Sequence, residues 1–133
     1  MRETSIITLR KVLAFSAIVE VGTALVLMID PAIVVTLLLG MELSGAGTLT
    51  GRCFGIALLA LGLACWPGGQ RAEAGSPAFR GMLVYNALIA LFLVYLFVVE
   101  HRGSVLLWPA AVLHAVVALL LVWLWRNEMR EAR

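Results

Sequence analysis

The sequence predicts an all-α fold: a polytopic four-helix bundle in a membrane, with both termini cytoplasmic and a short interfacial or re-entrant helix after the first span. Three observations predict it. The 133 residues are 62% hydrophobic, only 14% charged and have a mean hydropathy of +1.02, far more apolar than a water-soluble domain of this size. The apolar residues gather into four runs near the roughly 20 residues that a helix needs to cross the hydrocarbon core, at about 12–29, 49–66, 79–99 and 105–125. Between them little chain is left for anything else, so residues 1–133 read as one four-span domain.

The first run follows Arg2, Arg10 and Lys11, as a secretory leader would. Glu20 interrupts the run and no small-x-small cleavage site follows, so a retained spanning helix is expected. In the segment 31–44, the run from Ala32 to Met41 is apolar but too short to span. Asp30-Pro31 is a helix-start pair, with the carboxylate as N-cap and proline at the first helical position. A helix in the outer interface, covering the ends of the spans or acting as a lid between them, is expected there.

The second run opens with Gly47, Gly51 and Gly55, with Gly62 two turns on. Four-residue spacing places these on one helix face and lets another helix approach closely, which in lipid is the main source of helix association. This glycine-zipper pattern predicts that the second span is central to the bundle or makes a subunit contact. Cys53 and Cys65 lie in the same run, about 18 Å apart at the helical rise, too far to bridge. Each reads as a small apolar residue.

The connection from Pro67 to Pro77 is rich in glycine and small residues and reads as a loop. The turn Glu100-His101-Arg102-Gly103 is short, so the last two spans should form an antiparallel hairpin. Pro109 falls near the start of the final helix, where its missing amide costs little.

Basic residues set the orientation. Arg2, Arg10, Lys11, Arg71, Arg80, Arg126, Arg130 and Arg133 fall on one side and Arg102 and Arg52 on the other, which by the positive-inside rule puts both termini in the cytoplasm. Trp66, Trp123 and Trp125 then mark the inner boundary and Trp108 the outer. The net charge of +2 and the scatter of basic residues at helix ends exclude a nucleic-acid interface.

Glu20, Arg52, Asn86 and His114 are polar side chains inside apolar runs, with Tyr85 beside Asn86. An ionisable group within a span costs a few kcal/mol, so it is expected to be paired, to face protein, or to take part in transport or proton movement. Counted along the spans, Glu20 and His114 share one depth, and Arg52 is placed to reach Glu20 as an ion pair. Two readings stay open. The groups satisfy one another and fix the packing of four interchangeable helices, or they line an outward-facing polar cavity that binds a small molecule or relays a proton. One Glu and one His without a second ligand at helical spacing fall short of a metal site. No hydrolase, P-loop, dinucleotide or zinc-protease motif is present, so neither cofactor nor catalysis is supported.

Gly51-Arg52 with Gly55 downstream, Ala64-Cys65-Trp66, Tyr85-Asn86, and Trp108-Pro109 followed by His114 together resemble small bacterial four-helix membrane proteins of the DoxX-like group. The resemblance implies a bundle in the bacterial inner membrane and a role as an accessory subunit of a membrane assembly. It carries no catalytic residues across. Membrane lipids, and a homo-oligomer or larger membrane complex, are the partners expected.

Overall fold

The computed structural model describes residues 2–68 and 74–131. Among these all the regular secondary structure is helical: α1 (Arg2–Ile29), α2 (Pro31–Leu39), α3 (Gly45–Ala64), α4 (Pro77–Val98) and α5 (Leu107–Glu131). Four of the five, all but α2, are long and apolar enough to cross a membrane. The chain is therefore read as a multi-pass helical membrane protein. Arg71 and Arg133, and the side chain of Arg2, lie outside the described residues.

Local chemistry sets the helix limits. The Asp30 carboxylate accepts from the Ala32 amide at 3.0 Å with Pro31 beginning α2, as an N-cap and first-turn proline should. Gly40 closes α2 in the left-handed region (φ 67), where a Cβ would be strained. Ser44 and Ser76 cap α3 and α4 by accepting from the Gly47 and Phe79 amides, each at 3.2 Å. α5 continues past the expected end at Trp125 to Glu131, and α1 begins well before Val12; the helices outrun the apolar runs because the polar residues at these ends can continue a helix in water.

Packing divides the spans into two antiparallel pairs. α1 packs chiefly on α3, and α4 chiefly on α5; contacts between the pairs run mainly through α1 and α5. The α4–α5 hairpin is the one expected from the short turn, in which His101 is exposed and adopts φ 51.

The glycine spacing does bring helices close: α1 at Gly55 and Gly62, and the start of α2 at Gly51. A Cβ at Gly55 would stand 2.9 Å from the Ala24 carbonyl oxygen, one at Gly62 would stand 2.8 Å from Val21 Cγ2, and one at Gly51 would meet the Pro31 ring at 2.6 Å. A Cβ at Gly47 would instead meet Leu43 Cδ2 at 2.6 Å. Of the two places expected for the second span, the central one in the bundle is corrected: α3 packs almost wholly on α1 at the edge, with Leu49, Phe54, Ile56 and Leu63 exposed. α1 has the more central place, with Ala24 turned toward α3 and Ser16 and Glu20 toward α4 and α5.

The main core lies toward one end of the bundle, where Leu9, Leu13 and Ala17 of α1 meet Phe79 and Met82 of α4 and Leu121 and Leu124 of α5. At the other end the pairs are joined through backbone. The Leu37 and Leu38 carbonyls of α2 accept from the Leu106 and Ser104 amides at 3.0 and 2.9 Å. The last carbonyls of a helix have no partner within it, and the α4–α5 connection supplies two. This fastens α2 to the second pair, a bond that a freely opening lid would have to break.

Candidate functional site: a buried polar layer between the helix pairs

Ser16 and Glu20 project from α1 one turn apart, Tyr85 and Asn86 from α4, and His114 from α5. All five meet where the two pairs face each other. Glu20 is 1% exposed, Asn86 0% and His114 8%, so the layer is closed off by surrounding protein.

Asn86 organises it. Its amide nitrogen donates to the Met82 carbonyl at 2.8 Å and to Ser16 Oγ at 3.1 Å. A carbonyl only accepts, so the amide nitrogen must point toward Met82 and the amide oxygen away from it. That oxygen lies 2.8 Å from His114 Nδ1. His114 Nδ1 therefore carries a hydrogen and donates to Asn86. One side chain thereby links α1, α4 and α5, with both its donor hydrogens and its oxygen engaged.

Glu20 is served less completely. The Tyr85 side chain lies beside its carboxyl group, and the Tyr85 ring meets His114 edge-on at 5.8 Å, with the planes at 79°. Its Oε1 lies 3.8 Å from His114 Nδ1, within ion-pair range but beyond a hydrogen bond. Because the Nδ1 hydrogen is committed to Asn86, Oε1 is left buried with no hydrogen-bond partner. An acceptor stranded in this way costs about 1–3 kcal/mol, so such groups usually hold a proton, a water or a ligand donor.

Four of the five residues singled out from sequence, Glu20, Tyr85, Asn86 and His114, come together here. Arg52 does not. It is exposed on α3, and its guanidinium reaches the Ile29 carbonyl at a long 3.5 Å. The expected ion pair with Glu20 is corrected to a cap on the C-terminal end of α1, where the helix dipole and unpartnered carbonyls favour a cation. The physical reason is first depth and then helix face: Gly62, not Arg52, stands opposite Ala17 and Val21 beside Glu20, Arg52 is level with Ile29 nine residues farther along α1, and Glu20 points toward α5 rather than α3. Ser16 was missed by sequence reasoning. Its spacing of four before Glu20, which places both on one face of α1, was the available signal.

Among the described residues no group of three or more His, Cys, Asp or Glu could hold a metal ion. Cys53 and Cys65 are both free. Comparison with protein-family models, with curated proteins and with solved structures finds no match. The chemistry of the layer is read from its own residues.

Proposed function

We propose that this chain is a multi-pass protein of the bacterial inner membrane, both ends cytoplasmic and α2 in the outer interface, whose polar layer binds a proton or a small hydrogen-bond donor at Glu20. The observation that carries this reading is the unpartnered, fully buried Oε1 of Glu20. Carboxylates within spanning helices are rare and commonly mark ion, substrate or proton paths, which supports the reading. Evolution of packing alone would favour a carboxamide or an apolar group at this position, which would leave no charge to desolvate. His114, 3.8 Å away, is the partner through which a proton at Glu20 would be passed or sensed. Small size favours a homo-oligomer for any complete transport pathway.

A second reading, an accessory subunit whose polar layer only fixes helix packing, is supported by Asn86, whose bonds are complete. The glycine face does not add to it, since Gly51, Gly55 and Gly62 are occupied within the chain.

Two variants separate the readings. Glu20→Gln keeps the shape and removes the titration. It should leave unfolding in lipid nanodiscs within about 1 kcal/mol of the parent while abolishing any pH dependence of that unfolding that His114→Ala also alters. A pH dependence of unfolding that is the same in Glu20→Gln as in the parent would return the layer to a packing role.

A further inference from the structure

A groove on the outer face of the α1–α5 contact has no role in the polar layer. Val12 and Phe15 of α1 and Val112, Val116 and Leu120 of α5 line it, and its surface is almost wholly apolar except at one end, where Lys11 stands exposed. We propose that the groove seats one acyl chain of an anionic phospholipid whose phosphate pairs with Lys11.

Two features point to that occupant rather than to a second protein helix. The first is charge. Lys11 lies well inside the helical part of α1, and among the described residues no carboxylate pairs with it. A lysine at this position keeps its ammonium at the headgroup level by extending along apolar surface, and a phosphate is the anion found there. Arg10 is exposed beside it and reinforces the positive field. The second is length. Glu20 and His114 are at one level, which puts Lys11 nine residues to one side of it on α1 and Pro109, at the far end of the groove, five residues to the other side on α5. At 1.5 Å per residue the groove runs roughly 20 Å, enough for the chain of one leaflet, whose share of the hydrocarbon core is about 15 Å. Dispersion contacts along the groove would hold the chain, and Lys11 would select the headgroup.

Native mass spectrometry of the purified chain, released from nanodiscs of equal phosphatidylglycerol and phosphatidylcholine, tests both parts. Phosphatidylglycerol should be retained about five-fold over phosphatidylcholine, the effect of one basic residue near the headgroups. Lys11→Gln should abolish the preference and Lys11→Arg should restore it. Val116→Trp, which fills the groove from an exposed position, should lower retention of both lipids. Equal retention by the parent, a preference that survives Lys11→Gln, or retention unchanged by Val116→Trp would overturn the proposal. Circular dichroism of each variant checks that the helices are intact.

Discussion

Asn86 and Glu20 share one polar layer but stand in different balances. Every hydrogen-bonding atom of the Asn86 amide has a partner, so Asn86→Ala strands Ser16 and His114 together. It should destabilise the protein by about 1–3 kcal/mol in a lipid unfolding assay. Arg52 belongs to a different account. Its contact with the Ile29 carbonyl is exposed and long, so Arg52→Ala should cost less than about 1 kcal/mol. It should also leave any spectroscopic signal of Glu20 untouched; a shift in that signal would revive the ion pair. That Glu20 and His114 share a level was legible from depth along the spans, because the rise per residue is fixed; Asn86 and Tyr85 count as several ångströms deeper, and their side chains close that gap. The fate of Arg52 was not legible, because the register of α3 against α1 is set by which glycine meets which residue: Gly55 meets Ala24 and Gly62 meets Val21, which leaves Arg52 level with Ile29.

At the scale of elements, the α1–α3 pair depends on glycines that face backbone. Gly55→Ala would put a methyl 2.9 Å from the Ala24 carbonyl oxygen, which cannot move without shifting α1, whereas at Gly62 the nearest atom, 2.8 Å away, is a methyl of the Val21 side chain. Gly55→Ala should therefore destabilise by about 1–3 kcal/mol and by more than Gly62→Ala, measured as the change in thermal unfolding in detergent. The four-residue spacing announced close helix packing, but a small face does not say which helix comes to it. Its partner is the preceding span, the one that the short α2 returns the chain to. α2 itself was legible from Asp30 and Pro31, since capping is a local matter. Its attachment to the α4–α5 connection through the Leu37 and Leu38 carbonyls was not, because backbone bonds between distant segments leave no mark on side-chain type.

For the whole molecule, four apolar runs were enough to give the spans to within a few residues at most ends, while the division into two pairs with a polar layer between them emerged only in three dimensions. Orientation is testable by itself: a cysteine introduced at Glu42 or Glu100 should react with an impermeant thiol reagent from outside intact cells, and one at Arg130 only after lysis, if both ends are cytoplasmic. The layer lies where the pairs meet, so a proton or ligand at Glu20 acts at the contact between them, and its arrival would be felt by α1, α4 and α5 at once. Infrared difference spectroscopy of the protein in lipid, recorded across a pH titration, reads the Glu20 carboxyl group directly. The account predicts a pH-dependent carboxyl band in the parent, absent from Glu20→Gln and displaced in His114→Ala; spectra of the parent and Glu20→Gln that are indistinguishable at every pH would contradict it.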